Sequence, residues 1–298
     1  MLPVLFYTDH YTLPLPEGHR FPMAKYRMVR DRLAATGKFD LTPAPIADVA
    51  DIKRVHEAAY VDAVLAGTLP AQAQRRIGFP WSEGFVQRTL GSAGSTLAAT
   101  EVALRTGWSG TLSGGTHHAF RAEGSGFCVF NDIAIAAQKL LDEGRVRRLA
   151  VIDLDVHQGD GTAEIFNGSR EVFTFSMHCQ VNFPFKKQKS RLDVELSEGV
   201  GDDEYLATLR ANLPRLSEFA PEFVFYQGGV DVLASDTLGK LRLTPEGVRE
   251  RDRMVFQFVK ELNAPIVLTQ GGGYSKPIEL TAEAHATTFL TAAQIFTN

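Results

Sequence analysis

Cysteine is scarce: Cys128 and Cys179 are the two in 298 residues. Two such distant cysteines form neither a disulfide framework nor a CxxC pair. Their usage fits a reducing compartment, so a cytoplasmic location is expected. An excess of one charge sign is also missing. A net charge of −4 gives no general attraction to nucleic acid or to an anionic membrane, and neither is expected as a partner. No uncharged apolar run reaches the roughly 18 residues of a membrane span. The first residues, MLPVLFYTDHYTLPLPEGHR, lack a basic start and a long apolar core, so they do not read as a signal peptide. No repeat, low-complexity tract or strong linker divides residues 1–298, which suffice for one large α/β domain.

What is present is an alternation of short apolar runs with helical patterns. Strands are expected at Leu2–Tyr7, Gly110 onward, Arg148–Leu154, Glu171–Ser176, Phe223–Gln227 and Pro265–Thr269. Helices are expected at Tyr26–Thr36, Val61–Leu65, Ser92–Arg105, Asn131–Asp142, Asp203–Leu213 with Asp202 as a cap, Pro245–Leu262 and Ser275–Thr297. Ala71–Trp81 and Val181–Glu198 read as loops, the second carrying Lys186, Lys187, Lys189 and Arg191 as a solvated basic cluster. Strands that end in Gly, Asp or His and alternate with helices imply a three-layer α/β fold, a mainly parallel sheet flanked by helices. Ligands of such sheets bind beyond the carboxyl ends of the strands.

The most informative stretch is DLDVHQGDG, Asp153–Gly161, which follows the apolar run Leu149–Ile152. Asp153, Asp155 and His157 recur at every second residue and would share one face if the strand continued. Two carboxylates and an imidazole are costly to bury together without a cation. Carboxylate and histidine ligands suit zinc and tolerate iron or manganese. GGTHHAF, Gly114–Phe120, presents adjacent imidazoles from a Gly-rich turn. GSGFCVFND, Gly124–Asp132, offers close backbone approach and aromatic wall. YQGGVD places Asp231 just after a strand, where alone it reads as a helix N-cap. QGGGYS places three glycines after another strand, suggesting anion binding at a helix start, and presents Tyr274, which alone reads as packing.

Together these segments resemble the histone deacetylase superfamily, within the arginase/deacetylase fold. The likeness also runs through RFPMAKY (Arg20–Tyr26), VHEAAYVDAVLAG (Val55–Gly67), FSMH, NFPF, SEGVGDDEYL and QGGVDVLASDTLGKL, so it covers nearly the whole chain. The length and the PEGHRFPMAKY segment look most like bacterial deacetylase-like proteins and the class IV branch.

The resemblance implies metal-dependent hydrolysis of an N-acyl amide, acting on acyl-lysine in a protein or peptide, or on a small acylated amine such as an acylpolyamine. It implies that Asp155, His157 and Asp231 bind a catalytic Zn2+, with Fe2+ also possible. His117 and His118 would be the paired imidazoles, oriented by Asp153 and Asp160, with His118 as the general base and then the acid. Tyr274 would donate a hydrogen bond to the oxyanion. Gly126, Phe127 and Phe183 would line the substrate tunnel. Asp153, Asp155, His157 and Ser176, and at a second site Phe166, match positions that hold K+ or Na+ as a structural ion. Cys128 is read as packing. His10, His19, His56, His178 and His285 are read as structural or solvated. An arginase-like dimetal hydrolase and a non-catalytic acyl-group sensor are the alternatives. The acyl length, the physiological metal and the oligomeric state are left open.

Overall fold

A computed structural model describes residues 2–297. Among them, β1 (Val4–Tyr7), β2 (Asp40–Pro43), β3 (Trp108–Thr111), β4 (Leu149–Asp153), β5 (Val172–Cys179), β6 (Leu192–Leu196), β7 (Phe223–Gln227) and β8 (Ile266–Thr269) form one eight-stranded sheet. Its order is β2-β1-β3-β8-β7-β4-β5-β6, and every pairing is parallel.

Strand periodicity separates two apolar layers. Ala150 and Ile152 of β4, Val224 and Tyr226 of β7, and Ile266 and Leu268 of β8 pack on one face. Leu149, Val151, Phe223, Phe225 and Val267 pack on the other. The first face is covered by helices Ala24–Thr36, Pro245–Leu262 and Ile278–Phe296, through residues such as Leu33, Val255 and Phe289. Helices Glu83–Thr106 and Asp132–Asp142 cover the second, through Phe85 and Ile133. All five β4 residues are buried, as a strand covered on both sides must be. Each fully buried large apolar side chain contributes about 1.5–3 kcal/mol by area.

The expected fold class is therefore the observed one, but several local expectations are corrected. Ala71–Ile77 is a helix, not loop, entered at Pro70 and left at Gly78. It buries only Ile77, so it has little apolar periodicity to read. The basic loop contains β6, whose Leu192, Val194 and Leu196 do alternate. Nor is its basic cluster simply solvated. Lys187 Nζ donates to the carbonyls of Asn182 (2.6 Å) and Pro184 (2.7 Å), and Arg191 lies over the Phe173 and Phe219 rings. The helix Asp202–Asn212 is preceded by Gly201, and the Asp202 carboxylate instead accepts from Thr244 N–H and Oγ1–H. The helix Glu83–Thr106 starts well before Ser92 because Ser82 Oγ caps it by accepting from Phe85 N–H.

Candidate active site

The four motif-bearing loops leave the carboxyl ends of β3, β8, β7 and β4, which are neighbours in the sheet centre. GGTHH follows β3, GGGY follows β8, QGGVD begins within β7, and DLDVH begins within β4. Parallel pairing puts all four ends on one edge, where they face a cavity of about 680 Å3. That volume is within the ordinary range of a small-molecule site. His117, His118, Gly126, Phe127, Asp155, His157, Phe183, Asp231 and Tyr274 all line it.

β4 ends at Asp153, so strand alternation does not carry Asp155 and His157 to one face. Turn hydrogen bonds do that instead. Asp153 Oδ1 accepts from Asp155 N–H at 3.1 Å, and Asp155 Oδ1 accepts from His157 N–H at 3.0 Å. Asp231 caps no helix, which corrects its reading in isolation. Its Oδ1 accepts from Val156 N–H at 2.9 Å, tying the β7 loop to the β4 loop. One ligand-type atom from each of Asp155, His157 and Asp231 lies within 4.8 Å of the others. The His157 Nδ1 stands 3.0 Å from Asp155 Oδ1 and 3.2 Å from Asp231 Oδ2.

The charges in this cluster fit a cation. Asp231 is pushed up to about 7 by burial and by the adjacent Asp155 charge. His157 is driven up to about 10: burial opposes its charge, but hydrogen bonds to both carboxylates outweigh burial. Two buried carboxylates converging on one imidazole nitrogen are the kind of donor set whose charge a divalent cation would compensate. Three donors of mixed N and O type suit an open catalytic site.

Two imidazole–carboxylate pairs lie beside the cluster. His117 Nδ1 is 2.7 Å from Asp153 Oδ2, and His118 Nδ1 is 2.6 Å from Asp160 Oδ1. The rings are 4.1 Å apart by centroid, and all four side chains are buried. Their surroundings push them apart. His118 is lowered to about 4 by burial and by the charge of His117. For His117 burial acts downward, but Asp153 and Asp155 overcome it and raise the ring to about 9.

The GGG turn does not stand at a helix start, as the next helix begins only at Ile278. It packs on the carboxylate cluster: Gly272 N–H donates to Asp155 Oδ2 at 2.8 Å. A Cβ there would stand 1.9 Å from Asp231 Oδ2, so only glycine permits this approach. Burial raises the Tyr274 hydroxyl well above its usual range, which keeps it a hydrogen-bond donor. A Cβ at Gly126 would lie 2.8 Å from His118 Cδ2, and the Phe183 ring stands edge-on to His118 at 4.9 Å. Cys128 is buried and its thiol is pushed well up by that burial, so it is not poised as a nucleophile.

Ser176 pairs with Asp153 in the β4–β5 register and bonds His178 Nδ1 through Oγ at 2.9 Å, beside the cluster. Phe166 lies apart from it, at the end of helix Asp160–Ile165 within the second apolar layer.

Three positions escaped the sequence reading. Asp236 accepts from Tyr274 N–H at 2.6 Å. Asp132 accepts from Thr116 N–H at 2.7 Å and Gly115 N–H at 3.1 Å, shaping the turn that carries the histidines. Lys25 is buried and donates to the carbonyls of Gly271 (3.3 Å) and Gly273 (3.5 Å) behind Tyr274. For the two aspartates the usable signal was a carboxylate beside glycines in a motif loop. For Lys25 it was a cation inside an otherwise apolar helical face.

A parallel sheet whose central strands deliver such loops to one edge is of the arginase/deacetylase class. The family model described as the histone deacetylase domain matches residues 19–290. An uncharacterized protein of Picosynechococcus sp. is 45% identical over 99% of both chains. Histone deacetylase 6 of Arabidopsis thaliana is 30% identical over 86% of this chain and 58% of its own length. Histone deacetylase 2 of the same plant is 37% identical over 61% of this chain and 48% of its own. The chain thus matches about half the length of these two plant deacetylases. It belongs to the histone deacetylase family.

Proposed function

We propose that this protein hydrolyses N-acyl amides by metal-dependent deacylation, with acyl-lysine in a protein or peptide as the substrate class. The observation that carries the reading is the pairing of two buried imidazole–carboxylate couples with the Asp155, His157 and Asp231 cluster in one cavity. Asp155, His157 and Asp231 would hold a divalent ion, zinc or alternatively iron. Bound there, such an ion polarises the amide carbonyl and acidifies water.

The chain's own groups do the rest. His118, fixed by Asp160, takes a proton from the attacking water and returns it to the leaving amine. His117, held by Asp153, stabilises developing negative charge through its ring N–H. Tyr274 donates its hydroxyl proton in a hydrogen bond to the oxyanion. Phe127, Phe183 and the Gly126 backbone guide the lysine stem, excluding water from the amide. Asp153, Asp155, His157 and Ser176 form a K+ or Na+ site, with Phe166 contributing at another. The sheet and its covering helices act as one catalytic domain.

The test is a kinetic panel of acetyl-lysine and longer acyl-lysine peptides and an acetylpolyamine on zinc-loaded protein. Turnover of an acyl-lysine peptide that disappears in His118→Ala supports the reading. Absence of turnover on every acyl-lysine peptide removes it, and turnover of the polyamine alone moves the substrate class to small amines.

A further inference from the structure

Exposure marks where the cavity opens to water. Of the residues that line it, Arg20, Arg76, Val181, Phe185 and Lys240 are exposed and so stand at its mouth. Aromatic rings connect this mouth to the histidines: Phe185 is 6.4 Å from Phe183, and Phe183 is 4.9 Å from His118. Lys240 sits beside Phe183, since its N–H donates to Asn182 Oδ1 at 3.1 Å. Arg20 and Arg76 sit beside Phe127. His19, the neighbour of Arg20, is 5.8 Å from the Phe127 ring, and the Arg76 carbonyl accepts from Gly126 N–H at 3.2 Å.

Every exposed residue of this lining is thus cationic or apolar. The acidic residues that line the cavity, Asp155 and Asp231, are buried in the carboxylate cluster. Lys186, exposed and next to Phe185, adds a further cation. The sign of the mouth is opposite to that of the chain, whose net charge is −4. Glu123 pairs with Arg76, and Glu198 lies 3.4 Å from Lys240, so those two cations are partly offset. Among the described residues, no carboxylate pairs with Arg20 or Lys186. The loop that carries Phe185 is anchored, because Asn182 Nδ2 donates to the Leu238 carbonyl at 2.8 Å and Lys187 Nζ donates to the Asn182 and Pro184 carbonyls. Phe185 is nevertheless 91% exposed, the most of any large apolar side chain among the described residues. An aromatic ring presented on a held loop offers apolar contact to a chain lying across the mouth.

We propose that this mouth selects its substrate by charge: it takes an acyl-lysine flanked by aspartate or glutamate and disfavours polyamines and lysine-rich segments, a selection that rests on the amide-hydrolase reading of the same cavity. Acylation removes the charge of the lysine itself, so the residues beside it set the sign that the mouth meets. An extended chain advances about 3.3–3.6 Å per residue, and charges act over about 8–10 Å at ordinary salt. Carboxylates within about two residues of the acyl-lysine therefore stay within range of the mouth. One exposed ion pair contributes little, but several charges of one sign around a cleft sum to a field that speeds association of the opposite sign. A polyamine keeps its unacylated amines charged and meets that field with the wrong sign.

The test compares kcat/KM for peptides of one acyl-lysine that carry glutamate or lysine at the two positions on either side. The glutamate-to-lysine ratio should be about tenfold or more at low salt and should shrink as salt is raised. Reversing both unpaired cations, with Arg20→Glu and Lys186→Glu together, should lower that ratio by about tenfold or more. Arg20→Gln with Lys186→Gln should lower it less and serves if the reversed pair does not fold. A ratio near one in the native protein, a ratio unchanged in a folded variant, or faster turnover of an acetylpolyamine than of the glutamate peptide overturns the proposal. Fluorescence anisotropy of the same peptides, labelled, reads the preference without turnover. If the native protein binds the glutamate peptide more tightly than the lysine peptide but hydrolyses neither, the amide-hydrolase reading fails and the charge selection stands. Equal binding of the two overturns the charge selection.

Discussion

The Asp236 carboxylate accepts the backbone N–H of Tyr274 at 2.6 Å, and the same side chain accepts from Leu238 and Gly239 N–H groups at 2.8 Å. One buried carboxylate thus joins the β7 loop to the tyrosine turn after β8. Asp236→Asn keeps one oxygen but weakens this clamp. Its kcat should fall about 10- to 100-fold, the range for loss of an outer support, while KM changes little. Tyr274→Phe should fall further, by about 10²–10³. Steady-state kinetics on an acyl-lysine peptide reads both; equal KM and kcat losses in Asp236→Asn would instead indicate a misshapen pocket.

The two histidines should not be equivalent. His118→Ala removes the proposed proton carrier, and a loss of about 10²–10⁴ in kcat is expected. Asp160→Asn, which leaves His118 in place but unsupported, should cost about 10- to 100-fold. If Asp160→Asn matched native activity, the 2.6 Å contact between Asp160 and His118 would have no catalytic meaning.

Metal removal gives a third outcome. Chelation should abolish turnover, and added zinc or ferrous ion should restore it. Metal analysis should then find one catalytic divalent ion per chain, lost in Asp231→Asn. Two tightly bound divalent ions would instead favour a dimetal hydrolase.

Gly272→Ala tests the turn that presses on the carboxylates. Its Cβ would stand 1.9 Å from Asp231 Oδ2 and 2.9 Å from Asp155 Oδ2. Metal affinity should drop by more than about 10-fold, since ligand orientation is disturbed directly. Circular dichroism should remain native, because the displacement is confined to the cavity wall.

Acid sensitivity should come partly from His56. Burial lowers this ring from 6.5 to about 4. Its Nδ1 and Nε2 meet the Phe120 carbonyl at 2.8 Å and the Asn131 N–H at 2.9 Å, so the neutral Nδ1–H tautomer satisfies both. A second proton would set donor against donor at Asn131. Between pH 6.5 and about 4 the unfolded chain binds the proton that the folded chain refuses. Stability is therefore retained above pH 6.5 and lost as pH falls through that window, by about 3 kcal/mol. Urea denaturation across this range should give a shallower slope for His56→Gln; an identical slope would assign the loss to other groups.

The sequence by itself determined a good deal here. Alternating apolar strands and helices implied the layered parallel sheet, because a strand covered on both faces must be apolar throughout, as Leu149–Ile152 is. Local spacing also exposed Asp155 with His157, the His117–His118 pair and the glycines before Tyr274. The edge strands β2 and β6 escaped because half-exposed strands such as DLTP and LDVEL carry polar residues. The family resemblance implied which carboxylate meets which imidazole, but no residue pattern encodes it, and the tertiary structure is what physically joins each pair. Asp153 and His117 are 36 residues apart in sequence, and Asp160 and His118 are 42. Parallel register brings the β3 and β4 loops to one edge, and no local pattern encodes that pairing. Burial is likewise a property of the assembled layers. Lys25 and Arg88 sit in helices where a cation ordinarily faces water, and packing alone turns them into the cavity.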